Sequence, residues 1–158
     1  RKDSMGRREA REYAFQLLYQ LEIQKEDPIR QIGEFIDLWG IQDADAEYVR
    51  CLAEGVSQSK AELDGIYAGY LKRWTTERLP RIDITILRIA VFEIVHVDSV
   101  PPSVSVNEAV LLARKYSSEE ARSYINAVLG KVVAAHCPGV EVPGVPLEEG
   151  RGDPHDHG

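Results

Sequence analysis

The stretch that most restricts the fold is RIDITILRIAVFEIVHV, residues 81–97. Its many β-branched residues would suit a strand. Yet Ile84, Leu87, Val91 and Ile94 recur at three- and four-residue steps and share one helical face. An apolar run of about 14 residues is also long for a strand. The spacing therefore predicts a central buried helix, with Asp83 as its cap.

The flanking sequence repeats the helical pattern. Ala10, Tyr13, Ala14, Leu17, Leu18 and Leu21 form one apolar stripe. Asp27-Pro28 reads as a helix start, with Asp as cap and Pro at the first helical position. The stripe Ile29, Ile32, Ile36, Trp39 then stops at Gly40. A third region, from about Asp43 to Val56, carries Tyr48, Val49, Leu52, Ala53 and Val56 before a break at Ser57-Gln58-Ser59. Leu63, Ile66, Tyr67, Tyr70 and Leu71 continue with helical spacing before Trp74. Pro101-Pro102 ends whatever precedes it. Two S-x-x-E capping boxes follow: Ser105 to Glu108, which fits either the start of its helix or a place a few residues inside it, and Ser117 to Glu120. The second opens a last helix with Tyr124, Ile125, Val128, Leu129 and Val132 facing inward. Short connections and no strand pairing predict an all-α, single-domain bundle of six or seven helices over residues 1–136, without internal repeats. Residues 137–158, CPGVEVPGVPLEEGRGDPHDHG, are rich in Pro, Gly and acid, and are expected to form a disordered tail.

Charge is unevenly placed in this chain of net charge -7. Residues 1–11 set Arg1, Lys2, Arg7, Arg8 and Arg11 against Asp3 and Glu9, whereas the tail is strongly acidic. Arg7, Arg8 and Arg11 fall near the first turn of a helix, where the macrodipole is already positive, so they do not serve helix stability. A phosphate-binding end tolerates such placement, because backbone N–H groups and guanidinium forks then face the same anion. Gln16 and Tyr19 lie nearby, suited to hydrogen-bond or stack on unpaired bases. Tyr13 belongs to the core stripe.

Catalytic signatures are absent: there is no G-x-x-x-x-G-K-[ST], G-x-G-x-x-G or G-x-S-x-G. Cys51 and Cys137 belong to no C-x-x-C pair and the four histidines are scattered, so neither a metal nor another cofactor is expected. No apolar run reaches membrane-spanning length and the start has no secretory pattern, which predicts a cytoplasmic binding protein.

Five segments then occur in order between residues 7 and 133. They are RREARE with QLLYQ, LAEGV followed by LD, RIDITILRIAVFEI, VPPSVSVNEAVLLARKYS, and YINAVLGKV. Together they resemble the NusB family of bacterial transcription antitermination factors; VNEAV with its helix and LRIAVFEI are the most specific parts. The resemblance implies an all-helical fold without enzymatic activity. It also implies binding of single-stranded boxA RNA together with the small-subunit ribosomal protein NusE, and action with NusA, NusG and RNA polymerase on ribosomal RNA operons. The family's basic motif maps onto Arg7, Arg8 and Arg11, and its Gln-x-x-Tyr onto Gln16 and Tyr19, all as RNA contacts. Tyr124 and Asn126 are further candidates, although Ala127 stands where the family has Gly. Asn107 and Glu108 read equally well as helix-start residues.

Two other readings exist. A similar helical domain is fused to RNA cytosine methyltransferases, but nothing after His136 suits a cofactor-binding domain. Alternatively, the protein is a homodimeric interaction scaffold whose arginines are solvated or meet an acidic partner. A homodimer is also compatible with RNA binding.

Overall fold

The computed structural model describes residues 6–71 and 78–140, and Trp74 and the segment 141–158 lie outside them. The described residues form seven helices and no strand. These are α1 (Gly6–Ile23), α2 (Pro28–Leu38), α3 (Asp43–Gln58), α4 (Lys60–Ala68), α5 (Arg81–His96), α6 (Pro102–Tyr116) and α7 (Glu119–His136).

Helix α5 is the axis of the bundle. Every residue from Asp83 to Ile94 is buried, and α1, α3, α4, α6 and α7 all pack against it. Burial on all sides explains its apolar composition, since a two-faced helix would have needed a polar stripe. Where α3 crosses α5, the ring of Phe92 fills the space beside Gly55; a Cβ there would lie 2.2 Å from Cζ. Glycine is thus what lets these two helices approach.

Some helix ends follow local rules. Asp27 Oδ1 accepts hydrogen bonds from the backbone N–H groups of Ile29 and Arg30, with Pro28 opening α2. Gly40, at φ +65°, turns the chain after α2 in a left-handed conformation that suits glycine. The break between α3 and α4 falls at Ser59. Pro102 occupies the start of α6.

Two expected caps are corrected, and the placement left open for Ser105 is decided. Helix α5 begins at Arg81, so Asp83 lies inside it. Its carboxylate is drawn inward by the Ser117 hydroxyl, which donates to Oδ1 at 2.6 Å, and by the hydroxyl of Tyr124. Helix α6 begins three residues before Ser105, leaving Ser105 and Glu108 buried within the helix rather than forming a box at its end. At α7 the cap is Ser118, whose Oγ accepts from Ala121 N–H at 3.0 Å, because Ser117 is committed to Asp83. Past α7, Cys137 and Val140 pack partly against the core.

Candidate nucleic-acid interface

The three arginines of α1 occupy three different environments. Arg7 is exposed, with its guanidinium carbon 3.9 Å from the centre of the Tyr48 ring. Arg8, whose side chain is 70% exposed, grips Glu108 side-on: Nε lies 3.0 Å from Oε1 and Nη2 2.9 Å from Oε2. Arg11 is buried, and its Nε donates to Glu93 Oε2 at 2.8 Å. Helical geometry explains the separation, because residue 11 falls beside the buried Ala10 and Ala14 while residue 8 turns about 100° away from residue 7. Arg11 therefore enters the site from beneath, and the charge at the surface comes from Arg7 and Arg8.

Beneath the arginines lies a buried carboxylate. Glu93 is 1% exposed and accepts from Arg11, from the Ser105 hydroxyl at 2.9 Å and from the Tyr48 hydroxyl. Burial raises the Tyr48 phenol pKa, and the charge of Glu93 raises it further. Glu93, Tyr48 and Ser105 were not singled out as site residues from sequence. The readable signal was a carboxylate inside VFEIV, since a charge buried in an apolar run requires ionic or hydrogen-bonding partners.

Gln16 and Tyr19 continue the edge of α1 that runs along α6. Gln16 Nε2 donates to the Tyr116 hydroxyl at 3.0 Å, and that hydroxyl in turn engages Glu12. Lys115 Nζ reaches the same carboxylate at 2.6 Å. The Tyr19 ring stacks on Phe15, which also packs against Tyr116. Gln16 and Tyr19 are both partly exposed, each fixed by these neighbours and still reachable from solvent.

Tyr124 and Asn126 are two positions apart on α7 and so point in different directions. Tyr124 turns inward to Asp83, and burial together with that carboxylate pushes its phenol pKa up. Asn126 instead lines an open groove of about 780 Å³ between the start of α1, α6 and α7. Arg8, Asn107, Glu108 and Arg122 line the same groove, with Arg122 3.8 Å from Glu119. Thus two of the expected site residues, Arg8 and Asn126, share one cavity although 118 positions of sequence separate them. Ala127 is exposed on α7. Among the described residues no group of His, Cys, Asp or Glu is placed to hold a metal ion, and no helix is long and apolar enough to cross a membrane.

Fold and site define a seven-helix bundle around one buried central helix, with arginines and an amide-lined groove at one end of the first helix. The chain belongs to the NusB family, whose model matches residues 8–134. It is 45% identical over 134 residues to the transcription antitermination protein NusB of Ruminiclostridium cellulolyticum, covering 85% of this chain and 92% of the relative. It is 43% identical over 129 residues to that of Acetivibrio thermocellus, covering 82% and 89%. Among solved structures, T. maritima NusB superposes with a TM-score of 0.79 at 26% identity, over 85% of this chain and 95% of that one. A chain from a crystal structure of the antitermination factors NusB and NusE in complex with dsRNA gives 0.72 at 29% identity, over 81% and 96%.

Proposed function

We propose that this protein is a transcription antitermination factor that binds single-stranded boxA RNA together with NusE and promotes processive transcription of ribosomal RNA operons. In this reading it works in the cytoplasm beside NusA, NusG and RNA polymerase, and carries out no catalytic step. The observation that carries it is the exposed Arg8 at the groove that Asn126 and Asn107 line, with the exposed Arg7 next to it at the start of α1. Membership of the family and the NusB relative solved with NusE and RNA support both partners.

The roles divide by exposure. Arg7 and Arg8 meet phosphates, which sets affinity and its salt dependence, while the Asn107 and Asn126 amides offer donors and acceptors to base edges. Gln16 and Tyr19 extend the RNA face along the seam of α1 and α6, with Tyr19 supplying a ring for stacking. Arg11 and Tyr124 shape this face from inside, through Glu93 and Asp83.

The test is fluorescence anisotropy of a labelled boxA strand and a scrambled strand, with and without NusE, across a salt series. Preference for boxA that NusE strengthens is the expected result. Equal weak binding to both strands, lost at moderate salt and indifferent to NusE, would overturn the proposal in favour of an interaction scaffold.

A further inference from the structure

We propose that Tyr48 is a positioning residue for RNA binding, its ring held by Glu93 and serving as the platform that presents Arg7. The inference rests on the RNA-binding reading above. It starts from the contrast between the two exposed arginines. Arg8 is matched by Glu108, whereas among the described residues no carboxylate lies within ion-pair distance of Arg7. Of the two exposed arginines of α1, Arg7 is therefore the one whose charge is less neutralised locally, and what holds it is an aromatic face.

That face is itself fixed. Tyr48 is 7% exposed, and its hydroxyl donates to Glu93, which Arg11 and Ser105 also engage. Donors from α1, α3 and α6 thus converge on one carboxylate of α5, and the ring stands in the corner they form. Arg11 lies under the same ring, its guanidinium carbon 5.9 Å from the centroid. A buried ion pair of this kind contributes little net stability compared with apolar packing, and its best-attested use is to specify one arrangement. Here the arrangement specified is the tilt and height of the Tyr48 ring.

The chemistry of a guanidinium makes such a platform useful. A guanidinium lying over a ring, as that of Arg7 lies over Tyr48, keeps N–H donors that a phosphate can engage. An arginine already laid on a ring also loses less rotamer freedom when a phosphate docks, which favours binding without any new contact. Phosphate groups of an RNA strand are the ligand this presents itself to.

The experiment is a double-mutant cycle in the full chain with NusE and labelled boxA RNA, using Arg7→Ala, Tyr48→Leu and both together, each checked for folding by thermal unfolding. Arg7→Ala is expected to weaken binding about threefold and to flatten the salt slope by about 0.7, the share of one phosphate on a single strand. Tyr48→Leu should do nearly the same, and the double variant should be no weaker than Arg7→Ala alone. Tyr48→Phe, which keeps the ring but loses the hydroxyl's bond to Glu93, should fall between wild type and Tyr48→Leu. Equal losses from Tyr48→Leu with and without Arg7 would mean that Tyr48 acts only on the fold, and would overturn the proposal. So would an Arg7→Ala variant that binds boxA as wild type does, and in that case the RNA-binding reading itself would stand. A wild-type protein that fails to prefer boxA removes both.

Discussion

Arg8 and Glu108 stand 100 positions apart and meet side-on, so that one edge of the guanidinium faces the protein while the side chain remains 70% exposed. The contact closes the start of α1 onto α6 at the mouth of the groove. Among the described residues no hydrogen bond engages Nη1 of Arg8, which leaves that end of the fork for a phosphate. Glu108 therefore both aims Arg8 and sets a negative charge beside the proposed RNA path.

These two effects separate in one variant. Glu108→Gln removes the negative charge, so affinity for any strand should rise at low salt, by about two- to fivefold for a partly exposed pair. It also releases the aim of Arg8, so the ratio of boxA to scrambled binding should fall. Anisotropy with both strands at two salt concentrations measures this; unchanged affinity together with an unchanged ratio would refute both roles.

The crossing of α3 over α5 predicts a sharp asymmetry between glycines. At Gly55 an added methyl would lie 2.2 Å from Phe92 Cζ and 2.5 Å from Cε1, in a core that cannot simply yield. Gly55→Ala should cost about 1–3 kcal/mol and lower the melting temperature accordingly. At Gly33, inside α2, a methyl meets nothing within 4 Å. Gly33→Ala should instead stabilise by about 0.5–1 kcal/mol through helix propensity. Urea denaturation of the two variants checks the pair, and a Gly55→Ala protein as stable as wild type would show the crossing to be looser than described.

The elements that sequence made legible are those decided locally or by sheer apolar content. The run from Ile84 to Ile94 announces a buried helix because no other placement removes so many aliphatic groups from water. Asp27-Pro28 announces a helix start because both residues act within one turn. Asp83 was misjudged, and Ser105 and Glu108 were left between two placements, for the opposite reason. Their side chains can satisfy nearby N–H groups or distant partners, and here Tyr124, Glu93 and Arg8 take them. The depth of Arg11 was hidden likewise, since the stripe of α1 gives the direction of position 11 but not the carboxylate waiting on α5. Composition announced the cationic end of α1, whereas its groove with Asn126 required the packing of three helices.

Buried phenols set the behaviour in alkali. Burial pushes the hydroxyls of Tyr48, Tyr67 and Tyr124 well above the ordinary value of 10, and Glu93, Asp64 and Asp83 respectively add to the shift. Above that value the unfolded chain sheds protons that the folded one keeps, so stability should fall as pH rises past about 10. Three of the seven tyrosines should then titrate only with unfolding. Phenolate absorbance followed beside circular dichroism tests this. Full tyrosine titration in a protein that keeps its helical signal would contradict it.

The opposite limb of the pH profile depends on Glu22. Burial alone would raise its pKa, but the hydrogen bond from Lys60 and the charges of Lys60, Arg88 and Arg81 outweigh burial and hold the carboxyl below its ordinary 4.5. The contacts are 2.9 Å to Lys60, 3.3 Å to Arg88 and 3.6 Å to Arg81, and Arg88 also grips Asp64 on α4 at 2.8 Å. A carboxyl with a depressed folded pKa binds fewer protons than its unfolded counterpart near 4.5. Its stabilising effect is therefore complete above that value and lost as pH falls through the lower, folded one. Glu22→Gln should melt below wild type at neutral pH, and the gap between the two should narrow as the solution is acidified to about pH 3. Melting curves across that range decide the matter, for a gap that stays constant would mean that Glu22 acts through shape and hydrogen bonding and not through its charge.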